Sequence, residues 1–179
     1  MKRRYRLVFA LALLVVGNGF QLTAQDTKGK AAKTVNPFVG TWKLVSITNM
    51  TDKGEDKEAA GRNPTGFITY TADGRMMVII TNGGRKPLSV PDWIAAPVEE
   101  RAEAFSTMSA YAGRYTLAND EVVHHVEVSW MQNDVNVNLV RTVKLQGARL
   151  TLETPSFVKG GVHITKQVLI WERLRSDHR

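Results

Sequence analysis

The chain has 179 residues and no cysteine, and its 24 basic and 17 acidic residues give a formal net charge of +7. Four of the basic residues lie among the first six positions, and the small positive excess that remains argues against nucleic acid as a partner, which requires a clustered basic face. The lack of cysteine excludes disulfides and a lipid anchor on cysteine, so an apolar core must stabilise the fold.

Residues 1–24 have the layout of a secretory signal peptide. A positive start is followed by an apolar run at residues 7–16, and a small residue, Ala24, stands before Gln25. The apolar run is too short to cross a bilayer as a stable helix, which needs about 20 residues. We therefore predict a periplasmic or secreted protein without stable membrane insertion after cleavage; an uncleaved membrane anchor is the alternative.

Residues 25–37 are rich in Lys, Thr, Ala and Gly and lack an apolar period, which is typical of a flexible linker. Residues 38–175 are predicted to form one domain. Turn signals such as Asp73-Gly74 separate short stretches of alternating polarity, the pattern of antiparallel hairpins. Strands are predicted at residues 39–48, 67–71, 75–81, 113–117, 122–130, 135–145, 149–154 and 162–174.

One helix is predicted at residues 98–109. Pro97 suits the first turn, and Glu99 and Glu100 favour the N-terminal end of the helix dipole. Its narrow apolar stripe is expected to dock against the barrel, either as a lid over its mouth or by side-on packing or plugging. The stripe consists of Val98, Ala102, Phe105 and Met108.

The first and last predicted strands carry residues that can contact each other. Trp42 lies at the start of the first strand and Arg173 at the end of the last one. In an up-and-down barrel the first and last strands pair to remove the sheet edges, so these two residues should meet and stack at one end. The sequence thus predicts an all-β fold, an eight-stranded up-and-down antiparallel barrel with one short helix.

Several segments together resemble the lipocalin-like domain proteins. They are residues 39–46, 63–71, 73–76, 111–115, 124–127 and 171–173. The resemblance extends over nearly the whole predicted domain, and it implies a calycin-type barrel that holds a small apolar ligand. It departs from the family at residues 132–134, where a more aromatic, proline-containing turn is usual. The family implies no common activity, because a fold does not fix a function.

Alternation along the strands suggests which side chains face inward. His124 and Trp130 share a face with Val122, Val126 and Val128, and this more apolar set is predicted inside. His125 then points outward, so the two adjacent histidines cannot bind one ion from a regular strand. No metal site and no cofactor are predicted.

Arg141 interrupts the clearest apolar stripe of the chain, between Leu139 and Val143. A buried guanidinium requires an anion or several acceptors. Arg141 is therefore either the anchor of a ligand carboxylate or satisfied within the protein, by an ion pair with Glu127 or Glu172 or by hydrogen bonds to tyrosine and backbone groups.

Three tyrosines suit the wall of a half-polar pocket, although ordinary core packing is the commoner role of such residues. The predicted ligand-binding set is Arg141, His124, Tyr70, Tyr111, Tyr115 and Trp130.

Three functions follow from these patterns. The first is an exported barrel that binds a small hydrophobic molecule, with an acidic group if Arg141 is the anchor. The second is an isomerase or cyclase that uses His124 or a tyrosine as acid or base. The third is a structural or interaction module with a filled barrel. Cavity volume and polarity distinguish them, and the sequence leaves the oligomeric state open.

Overall fold

The computed structural model describes residues 36–175. The predicted signal peptide, residues 1–24, and most of the predicted linker lie outside the described residues. The elements in chain order are β1 (Gly40–Thr51), β2 (Gly54–Asp56), β3 (Thr65–Tyr70), β4 (Arg75–Thr81), α1 (Val98–Ser106), β5 (Met108–Ala118), β6 (Glu121–Ser129), a 3₁₀ turn (Gln132–Asp134), β7 (Asn138–Gln146), β8 (Arg149–Thr154), β9 (Phe157–Lys159) and β10 (Val162–Arg173).

Eight antiparallel strands close into a barrel. Each strand pairs with the next long strand along the chain, and β1 pairs with β10 to complete the ring. The eight-stranded barrel predicted from the sequence is thus confirmed. The remaining two strands, β2 and β9, are three-residue additions beside β1 and β10, and both lie outside the predicted strands.

The end of the barrel where β1 starts is closed by aromatic side chains. Trp42 is fully buried, and its indole Nε1 donates a hydrogen bond to the carbonyl of Phe38 at 2.9 Å. The Cζ atom of Arg173 lies 4.0 Å from the centroid of the Trp42 ring, within the range of a cation–π contact. Arg173 also donates to the backbone carbonyls of Val39 and Pro37, which ties the entering chain to the last strand.

A bulge changes the faces of β6. Ala112 of β5 pairs with Val128 and Gly113 pairs with Val126, so Glu127 is an extra residue in the ladder. A Cβ at Gly113 would lie 1.9 Å from the carbonyl oxygen of His125, so only glycine fits there. The prediction that Val128 faces inward is wrong, because the bulge moves it to the outer surface, where it is 61% exposed.

A second irregularity lies in β1. The pairing with β10 shifts between Leu44 and Ser46, which leaves Val45 as the extra residue. Ile47, which strict alternation would place on the face opposite Trp42, is therefore buried on the same side as Trp42.

The helix is shorter than predicted and lies at the surface. It ends at Ser106, and Met108 already belongs to β5. No residue of α1 is buried, and the expectation that its apolar stripe docks against the barrel is wrong for Val98 and Ala102, which are exposed. The other two stripe residues, Phe105 and Met108, line the cavity of the barrel. Phe105 alone makes an aromatic contact, with its ring centroid 4.3 Å from that of Trp130. Within residues 36–175, no helix has the length and apolar character needed to span a bilayer.

Candidate functional site

The barrel encloses a cavity of about 670 Å³. It extends from the buried Trp171 to the strand ends opposite the Trp42–Arg173 closure, where Phe105 and Trp130 form part of its wall. Most of the wall is apolar. Inner apolar positions are occupied by Ile47, Ile68, Val78, Leu152, Leu169 and Trp171.

Arg141 lines this cavity from β7. The strand carries no bulge, so the alternation of Leu139, Arg141 and Val143 is kept as the sequence predicts. One guanidinium nitrogen, Nη1, donates to the carbonyl of Val140 at 2.8 Å. Among residues 36–175, no carboxylate oxygen lies within 4.0 Å of the guanidinium nitrogens of Arg141.

The two acids considered as partners of Arg141 are elsewhere. Glu127 forms ion pairs with Arg75 and Arg114 on the outside of the barrel, and Glu172 is exposed. Asp134, on the 3₁₀ turn, also lines the cavity but lies beyond ion-pair distance of Arg141. The internal ion pair that the sequence left open is therefore absent from the described part of the chain. Of the internal alternatives, the hydrogen bond from Arg141 to a backbone carbonyl is present.

His124 connects two tyrosines inside the barrel. Its Nε2 lies 2.8 Å from the hydroxyl of Tyr70, and its Nδ1 lies 3.0 Å from the hydroxyl of Tyr111. Tyr70 lies on β3, Tyr111 on β5 and His124 on β6. In the barrel, β5 and β6 are neighbours, and β4 lies between β3 and β5. Tyr111 and His124 line the cavity, whereas Tyr70 is buried outside the cavity lining.

Burial determines the ionisation of this cluster. Desolvation, helped by the positive charge of Arg141, lowers the pKa of His124 to about 3, so the imidazole is neutral at physiological pH. Burial likewise raises the pKa of Tyr70 well above its usual value. It also raises the pKa of Tyr111, against the opposing charge of Arg141. The cluster therefore consists of neutral hydrogen-bonding groups beside one cation.

The other predicted binding residues are divided between the cavity and the closed end. Trp130 lines the cavity and packs on Phe105. Tyr115 lies outside the lining: its hydroxyl donates to the carbonyl of Thr71 and accepts from the side-chain amide of Asn36.

Asn49 and Gln167 are hydrogen-bonded to each other on the cavity wall and lie outside the predicted binding set. Asn49 is buried, and its Oδ1 accepts a hydrogen bond from Nε2 of Gln167 at 2.8 Å. Asn49 follows the predicted strand 39–48 and opens a segment, residues 49–64, whose charges, glycines and lack of a period are typical of a loop. Had the pattern been read with a one-residue shift after Leu44, Ile47 and Asn49 would have been on the inner face.

The cavity bears on the alternative functions. A volume of about 670 Å³ is not a filled barrel, which contradicts the purely structural interpretation. A general base works best with a pKa near the working pH, and neutral His124, with both nitrogens hydrogen-bonded, does not meet that condition. No cluster of His, Asp and Glu suited to a metal ion occurs within the described residues.

Comparisons with known proteins give one family and several individual likenesses. The family described as a lipocalin-like domain matches residues 39–174. Human fatty acid-binding protein 9 is 32% identical over 96 residues, which cover 50% of this chain and 70% of that protein. An uncharacterized protein from Bacteroides eggerthii is 11% identical with a TM-score of 0.40, covering 76% of this chain and 99% of the other. The fluorescent protein UnaG is 17% identical with a TM-score of 0.34, covering 76% and 97%.

Proposed function

The chain belongs to the lipocalin-like domain family, and from that premise we propose that it is an exported protein that binds a small hydrophobic acid inside its barrel. The observation that carries this proposal is the cavity of about 670 Å³ with Arg141 on its wall and no carboxylate in ion-pair distance within residues 36–175.

The cavity has the properties of a small-molecule site. Its volume falls within the range of about 300–1,000 Å³ that is common for ligand pockets. Such pockets combine an apolar wall with a few polar groups that orient the ligand. Here the apolar wall would bind the hydrocarbon part, and Arg141 with Tyr111 would bind the polar group.

The charge of Arg141 favours an acid as that polar group. Arg141 is half-buried, so its charge is only partly hydrated, and a ligand carboxylate would supply both a counter-charge and a bidentate acceptor. The relative at 32% identity, human fatty acid-binding protein 9, is named for the binding of such acids. That name supports an acid and does not fix which one.

Export is supported by the sequence alone. Residues 1–24 combine a basic start, a short apolar run and Ala24 at the proposed cleavage site. An exported carrier would meet its ligand in the periplasm or outside the cell.

Displacement of the fluorescent probe anilinonaphthalene sulfonate tests the proposal. We expect dodecanoic acid to displace the probe at lower concentration than dodecan-1-ol, which has the same chain without the charge. Arg141→Met should weaken the binding of dodecanoic acid by about tenfold or more, since hydrogen bonds to charged groups contribute about 1.5–3 kcal/mol. It should leave the affinity for dodecan-1-ol unchanged.

Arg149→Met is the matched control, because it removes the same charge from an exposed position on β8. Equal displacement by the acid and the alcohol in the wild-type protein, or an equal loss in both arginine variants, would contradict the role of Arg141.

A further inference from the structure

The hydroxyl of Tyr70 has one possible hydrogen-bond partner in the described chain. Nε2 of His124, at 2.8 Å, is the only side-chain or backbone group within hydrogen-bond distance of it in residues 36–175. Tyr70 is 1% exposed, so water does not reach it freely. A buried donor without an acceptor is destabilising by about 1–3 kcal/mol. The Tyr70 hydroxyl must therefore donate its proton to Nε2.

This direction fixes the tautomer of His124. A neutral imidazole carries one proton, and Nε2 is occupied as an acceptor. The proton is then on Nδ1, which lies 3.0 Å from the hydroxyl oxygen of Tyr111. Nδ1 donates to that oxygen, so the proton of the Tyr111 hydroxyl is not used by His124.

The hydroxyl hydrogen of Tyr111, which His124 does not accept, is available for donation at the cavity wall. Tyr111 and Arg141 both line the cavity, and Arg141 presents donors only. We infer that Tyr70 and His124 form a directional hydrogen-bond chain that holds Tyr111 as a donor, so that Tyr111 and Arg141 together select ligands whose polar group is a deprotonated oxyanion such as a carboxylate. Where it concerns the ligand, this inference rests on the proposed function; the direction of the chain does not.

Tyr70 and His124 are positioning residues in this arrangement. Tyr70 is outside the cavity lining and acts only through the imidazole. A neutral His124 of the opposite tautomer would accept from Tyr111 and consume its proton, and the cavity would lose the Tyr111 donor that accompanies Arg141. The buried tyrosine thus sets the hydrogen-bonding character of the cavity from outside its wall.

Nitrogen NMR measures the tautomer directly. In protein labelled with ¹⁵N-histidine, long-range proton–nitrogen correlations distinguish a protonated from a bare ring nitrogen, and the signals missing from His124→Gln identify His124. We expect the proton on Nδ1 without added ligand. In Tyr70→Phe, which removes only the hydroxyl, we expect a larger share of the Nε2-protonated form than in the wild-type protein, because no group of the described chain then donates to Nε2. A proton on Nε2 in the wild-type protein would overturn the inference.

Binding of dodecanoic acid measures the consequence. Tyr111→Phe should weaken it by about three- to tenfold, the loss expected for one hydrogen bond. Tyr70→Phe should weaken it in the same direction although Tyr70 is not in the cavity wall. Tyr115→Phe is the control, because its hydroxyl bonds to Thr71 and Asn36 at the closed end, and it should bind as the wild type does.

The two proposals fail in different ways. If dodecanoic acid binds the wild-type protein no better than dodecan-1-ol, the proposed function fails, while the NMR result still decides the direction of the chain. If the acid binds through Arg141 but Tyr111→Phe and Tyr115→Phe behave alike, the donor role of Tyr111 is wrong and the proposed function stands.

Discussion

Removal of the Trp42 ring should be among the most damaging single changes in the barrel. The indole is fully buried at the closed end. A tryptophan buries roughly 200 Å² of surface, which at about 25 cal/mol per Å² corresponds to about 5 kcal/mol. Large-to-small changes at buried aromatics cost about 3–5 kcal/mol. We expect Trp42→Ala to lower the free energy of unfolding by about 4 kcal/mol, a large part of the total stability of a domain.

A double-mutant cycle isolates the contact with Arg173. The variants are Trp42→Leu, Arg173→Met and the pair. The hydrogen bonds of Arg173 to Val39 and Pro37 are lost in both backgrounds and cancel in the cycle. Since Arg173 is half-buried and its Cζ lies 4.0 Å from the ring centroid, the coupling free energy should be about 1 kcal/mol.

Urea unfolding followed by far-ultraviolet circular dichroism provides the measurement, because it does not depend on the tryptophan that is replaced. A coupling near zero would show that the stacked pair does not contribute to barrel closure. A cost below about 1 kcal/mol for Trp42→Ala would refute the placement of this ring in the core.

Three further predictions concern the pH dependence of stability, the glycine at position 113 and cleavage of the signal peptide. Because burial lowers the pKa of His124 to about 3, the unfolded chain binds a proton that the folded chain does not between about pH 6.5 and 3. The free energy of unfolding should therefore decrease as the pH is lowered through that window, by up to roughly 4 kcal/mol. The decrease should be less steep in His124→Gln than in the control His125→Gln. Gly113→Ala should lower the free energy of unfolding by about 2–3 kcal/mol in urea titrations, because its Cβ would clash with the His125 carbonyl; Gly147→Ala, strained only by its φ of +58°, should cost about 1 kcal/mol. The intact mass of the exported protein should correspond to a chain that begins at Gln25, and a mass that retains residues 7–16 would contradict cleavage there.

Local patterns predicted the strands well where pairing is regular. The bounds Arg75–Thr81 and Arg149–Thr154 agree with the sequence prediction, because clear turn signals flank both strands. The inward position of Arg141 also followed from alternation, since β7 has no bulge. The helix end was placed three residues late because Met108 fits a helical stripe as well as a strand.

Alternation along single strands did not predict the two bulges. A bulge adds one residue to one strand, and every side chain beyond it changes face. The information lies in the partner strand: Gly113 of β5 admits the His125 carbonyl of β6, and that contact puts Val128 outside. Alternation within a single strand contains no trace of this contact.

The sequence by itself determined the fold class, because strand periodicity and turn residues are local properties and because the Trp42 and Arg173 ends require each other in a closed barrel. It also placed a cation, Arg141, among inward-facing apolar residues. Only the tertiary structure decided what surrounds that cation. The partners of His124 are 54 and 13 residues away along the chain, and a hydrogen bond over such separations depends on strand order and register together. The hydrogen-bonding character of the cavity is therefore a property of the closed barrel and not of any one segment.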